Sequence, residues 1–217
     1  MKPLFVPAIA CLLASPGWAQ SVITLDDFDL GGTSEPAAPK IDKRSGMADC
    51  LKNPASCADS GFKSDVTFSI DDVVNLGIID REDVAPQPAS TGAAASVKPS
   101  DPLPSIDLEV LFDRNSDAIR PDQMPQLVEL STVLRQDDFR NYRLVFMGHT
   151  DAKGSVEYNS DLSRRRAESV AQFVALTAGV PPDRIRSVGF GFSQLAVPSD
   201  PYAERNRRVQ LVLVPTK

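Results

Sequence analysis

The sequence is poor in the residues that carry most metal and acid–base chemistry. Its 217 residues include one histidine, His149, and three cysteines. A site built from several imidazoles is therefore excluded. Positive charge is not in excess either: 23 Lys and Arg stand against 29 Asp and Glu, a net charge of −6. The basic footprint of a nucleic-acid binder is absent. After the opening segment no apolar run approaches the roughly 20 residues that a membrane-spanning helix needs. Proline, by contrast, is plentiful at 18 residues, and its placement divides the chain.

Residues 1–19 read as an export signal. Lys2 supplies a positive start, Leu4 to Ala14 is mostly apolar, and Gly17 and Ala19 are small residues before the expected cut. Cys11 sits inside the apolar run, where cleavage for lipidation would leave a leader of ten residues. That is shorter than a working signal, so removal after Ala19 is expected and lipidation is not. Export leads to the periplasm, an oxidising compartment. There Cys50 and Cys57, with an Asn53-Pro54 turn between them, are expected to form a disulfide. With no histidine near them, a metal site is not expected.

The acidity is local. Residues 20–105 carry 7 basic and 14 acidic residues, whereas residues 106–217 carry 15 of each. Residues 20–84 are read as an acidic and largely flexible N-terminal region. Within it Asp65 to Ile70 alternates like a short strand, and Ser69 or Asp71 could cap a short helix over Asp72 to Leu76. This stretch is either a small disulfide-clipped motif or a docking segment for an outer-membrane or periplasmic protein. Residues 85–105 hold Pro86, Pro88, Pro99, Pro102 and Pro104 among Ala, Ser and Thr, the composition of a semi-extended linker.

From Ile106 the pattern becomes that of a folded domain, residues 106–217. Ile106 to Phe112 alternates as a strand. Pro121 to Leu134 has a helical period, with Pro121 and Asp122 at its start. Tyr142 to Met147 is a second strand, stopped by Gly148. Asn159 or Ser160 to Leu176 is a second helix, closed by Gly179 and Pro181. Ile185 to Phe190 and Arg208 to Val214 are further strands. The order β-α-β-α-β-β predicts an α+β fold: a mixed β-sheet with two helices packed on one face.

One residue of the second helix is out of place for a surface helix. With Leu162 at 0° and about 100° per residue, Phe173, Arg166, Val170 and Val174 fall near 20°, 40°, 80° and 120°, while Arg164 and Arg165 fall near 200° and 300°. Of three consecutive arginines, Arg166 alone joins the apolar stripe. An inward arginine needs an anionic partner, since an unpaired buried charge is costly. The nearest candidate is Asp151, in the GHTDAKG loop between the second strand and this helix. Two readings stay open on physical grounds. The two side chains form a structural salt bridge, or a zwitterionic ligand lies between them with its ammonium on Asp151 and its carboxylate on Arg166.

The run GHTDAKGSVEYNSDLSRRRAESVAQF, Gly148 to Phe173, resembles the signature of the OmpA-like domain family. LFDRNSDAIRP from Leu111, VGFGFSQ from Val188 and NRRVQLVLV from Asn206 fit the same family, in order and with suitable spacing. The resemblance covers residues 106–217 and says nothing of residues 20–105. It implies non-covalent binding of peptidoglycan through the diaminopimelate of the stem peptide, with Asp151 and Arg166 as the ligand pair. Asn115 matches a position lining the same pocket. Asn159 and Arg208 match other motif positions, with helix capping and loop anchoring as their structural alternatives.

The resemblance has departures. The loop from Ser193 to Asn206 is short, and Leu195 stands where proline is frequent. The sequence shows neither the family's outer-membrane barrel nor the transmembrane helix of the flagellar stator relatives. No cofactor is implied. An enzyme would have to rest on His149, Asp151 and Ser155, and His149 reads more simply as a packed residue at a strand end. The expected role is tethering of a periplasmic protein or complex to the wall. The alternative is a scaffold acting mainly through its N-terminal region.

Overall fold

The computed structural model describes residues 43–53, 57, 62–85, 100–113 and 115–217. The expected leader with Cys11, and residues 86–99 of the expected linker, lie outside these. Four strands, β1 (Ser105–Leu108), β2 (Tyr142–Gly148), β3 (Ile185–Gly189) and β4 (Val209–Pro215), form one sheet in the order β1-β4-β2-β3. β4 is antiparallel to both β1 and β2, and β2 is parallel to β3. Among the described residues four α-helices accompany the sheet: α1 (Lys43–Lys52), α2 (Ile70–Asn75), α3 (Met124–Leu134) and α4 (Val156–Ala178). Among the described residues no helix is long and apolar enough to cross a membrane.

The β-α-β-α-β-β order of the C-terminal part is the one the sequence predicts, and α3 and α4 lie on one face as expected. Along β2, Leu144 and Phe146 face these helices. So do Val209, Leu211 and Leu213 of β4, which share a core with Leu127, Leu130, Ala167 and Val170. The first strand is shorter than its alternation suggests. The Val110 amide donates back to the Leu108 carbonyl at 2.9 Å. This turns the chain out of the sheet, and Phe112 makes only a single bridge to Ile119.

The opposite face is also covered. Val145, Met147, Val212 and Val214 point away from α3 and α4 and pack against Phe68, Ile70, Val73, Ile79, Val84 and Leu103. Residues 66–85, read from sequence as part of a region apart from the domain, thus form a second layer on its sheet, while Phe62 packs in the helix-side core. Within that layer the expected helix is present over Ile70–Asn75. Ser69 caps it, exchanging hydrogen bonds with Asp72. The expected strand over Asp65 to Ile70 is not there: only Ser69 bridges, to Pro102. The alternation is real, with Phe68 and Ile70 buried. However, the segment meets β1 and the chain before it at only a few backbone points, the Phe62 carbonyl with the Asp107 amide and the Phe68 carbonyl with the Leu103 amide, so no continuous ladder forms.

Cys50 and Cys57 are joined in a disulfide, as expected, with Cα atoms 4.7 Å apart. Both are buried beside Met47 and Leu51 in the helix-side core. α1 itself packs on α3 and β1.

Two glycines set the position of α4. Gly148 and Gly189 are register partners at the ends of the parallel strands β2 and β3. A Cβ on Gly148 would lie 2.0 Å from the Ser163 carbonyl oxygen, and one on Gly189 would lie 2.4 Å from the Arg164 nitrogen. The helix backbone therefore rests directly on the two strand ends, a contact only glycine permits. Ser155 caps the helix, accepting from the Tyr158 amide at 3.2 Å, and Gly179 ends it in the left-handed conformation at φ 70°.

Candidate functional site

Because α4 lies so close to the strand ends, its first turns border the loop that leaves β2. Between them is a cleft of about 500 Å³ lined by Phe112, Asn115, Asp151, Tyr158, Arg166 and Arg207, with Thr150, Lys153, Asn159 and Leu162 completing the wall. Four of the five sequence-predicted ligand residues, Asp151, Arg166, Asn115 and Asn159, are brought together here. Arg208 is not among the lining residues.

Arg166 is 8 % exposed, whereas Arg164 is exposed and Arg165 half-exposed, the ranking the helical wheel gives. Its partners are neutral. Nε donates to the Ser116 carbonyl at 3.0 Å, and Nη2 to the Asp113 carbonyl at 3.3 Å. The guanidinium also lies over the Phe112 ring, 4.8 Å from its centroid. Burial lowers its pKa, with Asp151 among the groups that offset this. An arginine nonetheless keeps its charge in a protein. Among the described residues it forms no ion pair with a carboxylate. The direct Asp151–Arg166 salt bridge, one of the two readings left open by the sequence, is not formed.

Asp151 is held instead by Arg207, whose Nη1 lies 2.9 Å from Oδ2; the Asp151 side chain is 16 % exposed. Oδ1 accepts from the Lys153 amide at 3.2 Å. Nη2 of Arg207 donates to Glu204 at 2.9 Å. Arg207 thus bridges two carboxylates at the mouth of the cleft. The family motif points to its neighbour Arg208 instead. The signal that finds it is strand alternation: Arg207 continues the side of Val209, Leu211 and Leu213, the side that faces the helices. Arg208 continues the side of Gln210 and Val212.

The two asparagines shape the walls. Asn115 has φ 56°, a left-handed conformation asparagine tolerates better than most residues. Its Oδ1 accepts from the Tyr158 hydroxyl at 2.7 Å. Asn159 is buried and is not the helix cap, because α4 begins a turn before it at Val156. Its Nδ2 donates to the carbonyls of Lys153 and Ser155, both at 3.0 Å, and so pins the loop carrying Asp151.

Arg208 lies behind the cleft. It is 3 % exposed and its Nε is 3.0 Å from Oδ2 of Asp107, a closed ion pair. Burial lowers the Arg208 pKa and raises that of Asp107, each opposed by the other's charge. Beside the pair, His149 is 1 % exposed and stacks on Phe190 with ring centroids 5.6 Å apart. Burial, and then the Arg208 charge, push its pKa down to about 3. His149 is a packed neutral imidazole, as the simpler sequence reading has it.

A family model described as the OmpA family matches residues 111–208. The outer-membrane lipoprotein YfiB of Pseudomonas aeruginosa is 39 % identical over 107 residues, which cover 48 % of this chain and 62 % of that protein. Outer membrane protein A of Shigella flexneri is 34 % identical over 109 residues, 47 % of this chain and 31 % of that protein. The chain thus spans less than two thirds of either relative. The crystal structure of the peptidoglycan-associated lipoprotein from Burkholderia pseudomallei is 25 % identical, covering 48 % of this chain and 86 % of that one with a TM-score of 0.41. The four ordered motifs and the family match agree that residues 111–208 match the OmpA family.

Proposed function

We propose that the domain binds peptidoglycan non-covalently and tethers its own chain, and whatever that chain is attached to, to the cell wall. In this reading Asp151 takes the ammonium and Arg166 the carboxylate of a stem-peptide diaminopimelate. Asn115 and Asn159 frame the cleft, and Arg207 yields its place on Asp151 to the incoming ammonium, keeping its contact with Glu204. Arg208 supports the site from behind. The place of action is the periplasm, with an outer-membrane or periplasmic protein engaged through the N-terminal region.

The observation that carries the reading is the state of Arg166: a buried cation aimed into a cleft, oriented by two carbonyls and an aromatic ring, with no carboxylate of its own among the described residues. A ligand carboxylate there gains a charge-assisted contact worth about 1.5–3 kcal/mol, without first breaking an ion pair. Asp151 across the same cleft gives the complementary charge. The names of the relatives point the same way, one being an outer-membrane lipoprotein and another a peptidoglycan-associated lipoprotein.

Co-sedimentation with purified sacculi tests the reading. Wild type is expected in the pellet, and a variant with both Asp151→Ala and Arg166→Ala in the supernatant. Equal retention of the two would sink the proposed site.

A further inference from the structure

The outer layer contains a short stretch, Ser64 to Val66, placed against the back of the segment that carries Arg207 into β4. Each of its residues holds a different point there. Ser64 Oγ donates to Oδ1 of Asp107 at 2.8 Å, and Asp107 in turn grips Arg208 through its other oxygen. Asp65 accepts from Nη2 of Arg205 at 2.6 Å. The Val66 carbonyl accepts from Nε2 of Gln210 at 2.6 Å. Just upstream, the Phe62 carbonyl takes the Asp107 amide at 3.1 Å. Downstream, Phe68 anchors the stretch in the outer core.

The points held are Arg205, Arg208 and Gln210. Between them Arg207, like Val209, turns to the other side, where it meets Asp151. The same backbone reaches the Asp151 loop directly, since the His149 amide donates to the Arg208 carbonyl at 2.9 Å. The loop after β3 adds a second link, with the Ala152 amide donating to the Pro201 carbonyl at 2.9 Å.

We propose that Ser64–Val66 is a positioning strap for the cleft. By clamping Arg205, Arg208 and Gln210 on one face of the chain, it fixes Arg207 and the Asp151 loop on the other. None of the strap residues lines the cleft, so its influence passes through the strand. The consequence is a linkage between the N-terminal region and the site. A partner that takes up residues 62–68 loosens the cleft, and a ligand in the cleft strengthens the strap by the same factor. The strap itself is argued from the protein's internal contacts; only the ligand arm below rests on the proposed wall-binding reading.

The test uses the full chain carrying Ser64→Ala with Asp65→Arg, which removes one contact and reverses another. A third substitution, Arg205→Asp, restores the Asp65 pair with its charges exchanged. A separate variant, Phe68→Asp, expels the strap's anchor without touching the polar contacts. Native-state hydrogen exchange is read at the His149 and Ala152 amides, and diaminopimelate is titrated into each protein. In the double variant these amides are expected to exchange about tenfold faster. Affinity is expected to fall roughly threefold to tenfold, and the charge-exchanged protein to recover most of both. Phe68→Asp is expected to reproduce the effect more strongly. If exchange at His149 and Ala152 is unchanged in both strap variants, the proposal is overturned, whether or not the strap itself has become labile. If exchange responds as stated and no protein binds diaminopimelate, the strap stands and the ligand reading fails.

Discussion

Two aspartate–arginine sets lie on either side of the sheet and use the same chemistry in opposite ways. Behind it, Asp107 and Arg208 face each other at 3.0 Å, both nearly inaccessible to water. In the cleft, Asp151 and Arg166 share one cavity without touching, each held by another group. A closed buried pair satisfies itself and offers nothing to a ligand. An arginine held by carbonyls keeps its charge available. The difference teaches that burial and charge do not separate a structural pair from a binding pair; the identity of the partner does. It is also why Arg208, which shares the motif run with Arg207, serves the fold, while Arg207 faces the cleft.

The comparison depends first on the glycine contact that brings α4 to the strand ends. Gly148→Ala is expected to have the largest effect of any single change, more than about 4 kcal/mol, because backbone and not a flexible side chain blocks the new methyl group. Denaturant unfolding measures this, and a loss below 1 kcal/mol would show that the helix can shift. Next comes the closed pair. Arg208→Met strands the Asp107 carboxylate and should cost about 3–5 kcal/mol. Arg166→Met strands no carboxylate, only two carbonyls, and should cost about 1 kcal/mol while removing the proposed ligand contact. Equal costs at the two positions would erase the distinction.

Much of this was legible in the sequence. The helical period singled out Arg166, and the loop after the second strand supplied Asp151. What could not be read was their distance, which depends on Gly148 and Gly189 admitting the helix backbone. Arg207 is hidden in the NRRVQLVLV run until its residues are assigned to alternating faces, since the motif as a whole does not separate Arg207 from Arg208. The outer layer was missed for a related reason. Val145, Met147, Val212 and Val214 make the strand sequences apolar at nearly every position, the mark of a sheet covered on both faces. The alternation over Asp65 to Ile70 was seen, but its periodicity reports a buried side, not a pairing partner.

His149 gives a smaller, pH-dependent difference between the rear cluster and the cleft. Its folded pKa near 3 lies below the ordinary 6.5. Between those values the unfolded chain binds a proton that the fold excludes. Stability from this residue is therefore complete above pH 6.5 and is lost as the pH falls toward 3, at about 1.4 kcal/mol per pH unit. His149→Gln should flatten the dependence between pH 6.5 and 5 in denaturant titrations; an unchanged slope would place the imidazole in water. The smallest effect on stability is expected at Arg207. Its side chain is 38 % exposed, and Arg207→Gln should change stability by less than about 1 kcal/mol.

Calorimetric titration of diaminopimelate into the full chain reads the open pair most directly. Wild type should bind. Asp151→Asn and Arg166→Met should each weaken binding by about 1.5–3 kcal/mol, roughly tenfold or more, with the fold intact by circular dichroism. Undiminished binding in both variants would contradict the assignment of Asp151 and Arg166 as the two ends of the ligand site.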